Sequence, residues 1–193
     1  MLKLLITDFD GTLVDTFEAN LLAYQQAFAD VGLTLTTEEY YRCYGLRFDA
    51  FMQVMGVFDK KKATKIKEAK AAVYPQYFDA FRVNKVLAQL LFTFRKSGGK
   101  IALASTAHEK NLMAALKHIG MADCWDYIVA GEQVPVGKPD PFIYTYVLQY
   151  FGISANEAMV FEDSPVGMEA AERAGLQYMQ ITETFYGNRS KRA

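Results

Sequence analysis

The run Leu2-Lys3-Leu4-Leu5-Ile6-Thr7, followed by Asp8-Phe9-Asp10-Gly11-Thr12, decides how the rest of the chain is read. Its Leu-Leu-Ile core, closed by a glycine, has the continuous apolar character of a parallel-sheet strand buried on both faces. The strand therefore ends in two carboxylates. Residues two apart on an extended segment point the same way, so Asp8 and Asp10 project toward one space. In an open α/β sheet that space, beyond the carboxyl ends of the strands, is where ligands bind. Two carboxylates about 4 Å apart repel by roughly 4 kcal/mol at an effective dielectric near 20, so such a pair holds a cation or shares a proton. An Asp-Gly turn alone also accounts for Asp10.

Downstream of Asp15 the pattern becomes helical. Leu21, Tyr24, Phe28 and Val31 recur at three- and four-residue steps, and Gly32 suits the position just past a helix end. Thr36-Thr37-Glu38-Glu39 has the form of a capping box, and further helices are expected over residues 48–55 and 59–81. Residues 16–81 thus read as an all-helical insertion. From there strand and helix alternate as in a parallel sheet. Helices are expected at 85–96, 108–119, 140–151 and 165–174, with strands at 100–105, 127–130, 159–161 and 177–181.

The chain has 193 residues, of which 51% are hydrophobic, enough for one packed domain with a small insertion. A formal net charge of −1 argues against nucleic acid as a partner. Cys43 and Cys124 are the two cysteines, too few for a disulfide framework or a thiolate metal site. No stretch reaches 18 uninterrupted apolar residues, and the start of the chain lacks the layout of a signal peptide. The expectation is a cytoplasmic protein, not bound to membrane, as a monomer or weak homodimer.

Four segments in order resemble the signature motifs of the haloacid dehalogenase superfamily, in its β-phosphoglucomutase and phosphoglycolate phosphatase branch. They are Asp8-Phe9-Asp10-Gly11-Thr12-Leu13-Val14-Asp15, Ser105-Thr106, Lys138 within Val136-Gly137-Lys138-Pro139-Asp140-Pro141, and Phe161-Glu162-Asp163-Ser164-Pro165. The resemblance implies a Rossmann-like α/β core of residues 1–15 and 82–193, with a parallel five-stranded sheet in the order 5-4-1-2-3. A helical cap of residues 16–81 is implied with it. It also implies an Mg²⁺-dependent phosphatase in which Asp8 is the nucleophile and Asp10 the general acid and base. Ser105 and Lys138 would bind the phosphoryl group, with Thr106 beside them. Asp8, the backbone carbonyl of Asp10 and Asp163 would hold the metal, with Glu162 binding it directly or orienting its waters.

On the residues themselves, Thr106-Ala107-His108-Glu109 also reads as a capping box, with Thr106 as the cap. In the insertion, Tyr44-Gly45-Leu46-Arg47 is the expected contact loop for substrate, with Arg47 as the binding group. The lysines at 60, 61, 62, 65, 67 and 70 read as a solvated helix face. Where relatives commonly carry Pro-Gly at the return to the core, this chain has Val83-Asn84. The expected substrate is a small phosphorylated metabolite, a phosphosugar or phosphoglycolate-like ester. A β-phosphoglucomutase-type mutase and a catalytically silent binding protein are the alternatives. Phosphonate cleavage through a cap lysine is disfavoured, because Arg47 cannot form a Schiff base.

Overall fold

A computed structural model describes residues 1–44, 46 and 48–186. The expected contact residues Gly45 and Arg47 lie outside the described residues.

The apolar run near the start of the chain is strand β1 (Leu4–Thr7), wholly buried. A short strand β2 (Val14–Asp15) follows, then helices α1 (Phe17–Ala29), α2 (Thr37–Cys43), α3 (Phe48–Val54) and α4 (Lys60–Val73). Strand β3 (Arg82–Val83) leads to α5 (Lys85–Lys96), β4 (Lys100–Ala104), α6 (Glu109–His118) and β5 (Tyr127–Val129). The chain closes with α7 (Phe142–Phe151), β6 (Ala158–Glu162), α8 (Pro165–Arg173) and β7 (Gln177–Gln180).

Five strands form one parallel sheet in the order β5-β4-β1-β6-β7. Counted among these five alone, that is the expected order read from the opposite edge. Strand β1 is central, with Ile6 opposite Ala102 of β4 on one side and Val160 of β6 on the other. Side chains alternate across the sheet. Leu4, Ile6, Ala102, Ala104 and Val160 join Ile143, Tyr144 and Val147 of α7 and Ala170 of α8 in one cluster. Leu5, Ile101 and Leu103 face the other way and are equally buried, and α5 packs on β4.

The chain divides into two compact units, Met1–Asp15 with Arg82–Ala193, and Thr16–Phe81. The second has its own core of Phe17, Leu21, Phe28, Tyr40, Phe51 and Ile66. Phe51 stacks on Phe28 at 5.8 Å and meets Tyr24 edge-on at 5.1 Å. Thr36 forms the expected capping box with Glu39 at the start of α2. On α4 only Ile66 is buried, and Lys70 lies 3.8 Å from the Tyr74 ring. The expected helix over 59–81 is shorter in fact. It passes into a 3-10 helix at Tyr74–Ala80, where Pro75 lacks the amide an α-helix would need.

One element has no counterpart in the sequence reading. Strands β2 and β3 pair antiparallel, Val14 with Val83 and Asp15 with Arg82, in a two-stranded ribbon. The Arg82 guanidinium grips Asp15 through Nε at 3.1 Å and Nη2 at 2.5 Å. Asn84, in place of the Pro-Gly, accepts the Leu87 amide at 3.1 Å and so caps α5, while its own amide reaches the Thr12 carbonyl at 3.4 Å.

Truncating Ile6 in the middle of the sheet leaves a void walled by both neighbouring strands. Ile6→Ala should lower the unfolding free energy by about 2–5 kcal/mol, read from urea midpoints at constant m-value.

Candidate active site

Each strand of a parallel sheet delivers its following residue to the same edge. Asp8 follows β1, Ser105 follows β4 and Asp163 follows β6, while Lys138 reaches the same edge from the segment between β5 and α7. Four remote parts of the chain thus meet.

Lys138 is the pivot. Its buried ammonium donates to Asp8 Oδ1 at 2.6 Å, to Glu162 Oε1 at 2.5 Å and to the Ala104 carbonyl at 3.3 Å. A lysine has three N–H donors, so all are engaged. Burial alone would push this ammonium down, but Asp8 and Glu162 outweigh it and hold Lys138 well above its ordinary value.

Glu162 is wholly buried at the end of β6. Besides Lys138, its Oε1 accepts the Tyr144 hydroxyl at 3.0 Å. Its Oε2 accepts the amides of Asp163 and Ser164 and the Ser164 hydroxyl, each at 3.0 Å. Ser164 in turn caps α8 by accepting the Gly167 amide at 3.1 Å. The carboxylate sits against the first turn of α8, and a Cβ on Gly167 would fall 1.8 Å from Oε1. Burial works to raise the Glu162 carboxyl, but Lys138 and these donors bring it below its ordinary value.

Asp163 receives the Thr12 hydroxyl on Oδ1 at 2.9 Å. Gly11, at φ +81°, runs so close that a Cβ there would lie 2.0 Å from Asp163 Oδ2. Only glycine allows both the left-handed turn and this approach. Burial, then the Glu162 charge, push Asp163 up to about 7. Burial likewise raises Asp8 well above its ordinary value, with Glu162 and Asp163 adding to it and Lys138 opposing.

Asp8, Glu162 and Asp163 each offer an oxygen, all within 4.8 Å of one another. Three carboxylates against one ammonium leave two negative charges when all are ionised. A hard divalent cation with oxygen ligands fits that imbalance. Asp10 lies half-buried beyond Phe9, bridged in the backbone to Val14.

Ser105 is buried, its amide bonded to the Val129 carbonyl at 3.0 Å, and its hydroxyl accepts the Ala107 amide at 3.1 Å. Thr106 is exposed and is not the cap expected of it. Helix α6 starts at Glu109, whose amide is taken by Glu132 Oε2 at 2.9 Å, and Glu132 also pairs with His108. The cap is supplied by the next loop, which the local motif could not show. Sequence reasoning also missed Tyr144, an aromatic residue on an apolar helix face whose hydroxyl reaches Glu162.

The family model described as haloacid dehalogenase-like hydrolase matches residues 5–181. A phosphorylated carbohydrates phosphatase of Thermotoga maritima is 28% identical over 182 residues, covering 91% of this chain and 83% of that protein. Protein CbbY of Rhodobacter capsulatus is 32% identical over 191 residues, with the same coverages of 91% and 83%. Among solved structures, CbbY from Rhodobacter sphaeroides in complex with phosphate superposes with a TM-score of 0.84 at 24% identity, covering 98% of this chain and 90% of that one.

A carboxyl raised in the folded state stabilises the protein below its unfolded value and loses that contribution as pH rises through the folded one. With Asp163 raised to about 7, the metal-free protein in EDTA should lose stability as pH rises from about 4 to about 7, by up to about 1.4 kcal/mol per pH unit for that proton. Mg²⁺ should reverse the loss at pH 8, and Asp163→Asn should lessen the slope, leaving the part that comes from Asp8. Urea midpoints from about pH 4 to about pH 8 check both.

Proposed function

The chain belongs to the haloacid dehalogenase-like hydrolase family, and on that premise we propose that it is an Mg²⁺-dependent phosphatase of a small phosphorylated carbohydrate, working through a phosphorylated Asp8. The observation that carries the reading is the buried Lys138 ammonium held against Asp8 and Glu162, with Asp163 beside them, at the carboxyl edge of a parallel sheet. The substrate class follows the name of the Thermotoga relative.

Asp8 Oδ1 is fixed by Lys138, which leaves Oδ2 to attack phosphorus in line. The P–O bond to the leaving group breaks as the Asp8–phosphorus bond forms. Asp10 gives its proton to the departing alcohol oxygen. Asp10 then takes a proton from water, whose oxygen attacks phosphorus and releases inorganic phosphate, restoring Asp8. The Ser105 hydroxyl steadies the phosphoryl oxygens through the transfer, and the Lys138 charge offsets the negative charge they bring. Asp8, the Asp10 carbonyl and Asp163 would hold Mg²⁺, which supplies the positive charge that lets a carboxylate approach a phosphate dianion. The helical unit of residues 16–81 is the substrate-selecting cap, with Arg47 its contact for the leaving group.

Phosphate release should be measured from a panel of sugar phosphates and phosphoglycolate, with Mg²⁺ and with EDTA. Wild type should turn over only with the metal, and Asp8→Asn should lose at least about 10³-fold in kcat. Isomerisation of β-glucose 1-phosphate without phosphate release would replace hydrolysis by a mutase reaction. Arg47→Ala should raise KM for the preferred ester with a smaller effect on kcat.

A further inference from the structure

Tyr144 is the largest of the fully buried side chains among the described residues, and it belongs to helix α7 and not to a strand or the loop after one. Its hydroxyl donates to Glu162 Oε1 at 3.0 Å, and its ring lies 5.2 Å from Lys138 Nζ. A phenylalanine would fill the same volume without bringing a polar group into the core, where an unpaired hydroxyl is costly. The phenol is tolerated here because it has one acceptor, and that acceptor is the carboxylate that holds the lysine.

The carboxylate is itself saturated. A carboxylate has about four lone-pair sites, and Glu162 receives Lys138, Tyr144, two amides and the Ser164 hydroxyl. It is therefore a bracket, fixed from α7 on one side and from the first turn of α8 on the other. The same oxygen, Oε1, takes both the Tyr144 hydroxyl and the Lys138 ammonium. A shift of Oε1 moves the ammonium relative to Asp8.

We propose that Tyr144 is a positioning residue. Acting through Glu162 and from beneath the ammonium, it sets where Lys138 sits relative to the Asp8 oxygens. Its effect on rate rests on the phosphatase reading above; its hold on Lys138 does not.

The experiment pairs turnover with a signal that needs none. Tyr144→Phe keeps the ring and removes the donor. Its kcat on the best sugar phosphate should fall about tenfold with KM within about twofold, since the lost bond is to a charged group. In a Glu162→Ala background, which has no acceptor at that position, the same substitution should change kcat by less than about twofold, because the path through Glu162 is already broken. The ¹⁵N ammonium resonance of Lys138, assigned by its loss in Lys138→Met, should shift in Tyr144→Phe at unchanged Mg²⁺ affinity by calorimetry. A kcat within twofold of wild type, a rise confined to KM, or full additivity with Glu162→Ala would each overturn the proposal. If wild type releases no phosphate from any ester, the phosphatase reading falls by itself. The resonance then decides alone: a shift upholds the hold on Lys138, and an unmoved signal refutes it.

Discussion

A buried ammonium between two carboxylates is an arrangement the rest of this fold is built to keep. Taken out of water, Lys138 would be driven toward its neutral form, and Asp8 and Glu162 toward theirs. Lys138 is bonded to both at 2.5–2.6 Å, and the third acid, Asp163, leaves the cluster short of positive charge when all are ionised. That imbalance suits the cluster to a divalent cation. It also means that no member can be removed without leaving an uncompensated neighbour in the core.

The supporting structure is graded accordingly. Backbone elements fix the carboxylates: β1 presents Asp8, β6 presents Glu162, and the start of α8 bonds the latter through its amides. Two glycines, Gly11 and Gly167, are needed because acidic oxygens occupy the space a Cβ would take. Side chains of the surrounding layer, Thr12, Ser164 and Tyr144, then use the remaining lone pairs. The buried polar atoms of the site are thus all given partners from the surrounding side chains and amides.

Much of this was legible in sequence because it is local. The strand of Leu4 to Thr7 and the capping box at Thr36 follow from short patterns, whereas the order of the five strands came with the family resemblance. What escaped is non-local. Thr106-Ala107-His108-Glu109 has the form of a capping box, yet Glu132 from another loop reaches the helix start first. The ribbon of Val14-Asp15 and Arg82-Val83 is too short to carry a periodic signal. Tyr144 reads as one more aromatic on an apolar helix, because nothing in its neighbours reveals that its hydroxyl meets a residue on β6. For Glu162, sequence gave an acid beside another acid; only the geometry reveals five donors around it.

The central position of β1 bears on how the protein reaches this state. Leu4 pairs with Lys100 on one side and Ala158 on the other, so the strand that carries Asp8 has no neighbour until distant parts of the chain have been made. Contacts of such sequence separation form slowly, and an unpaired apolar strand is exposed to association meanwhile. The helical unit of residues 16–81, rich in local contacts, has what it needs to collapse earlier. Asp8 and Lys138 are 130 positions apart, so their contact forms only when those distant parts of the chain have come together.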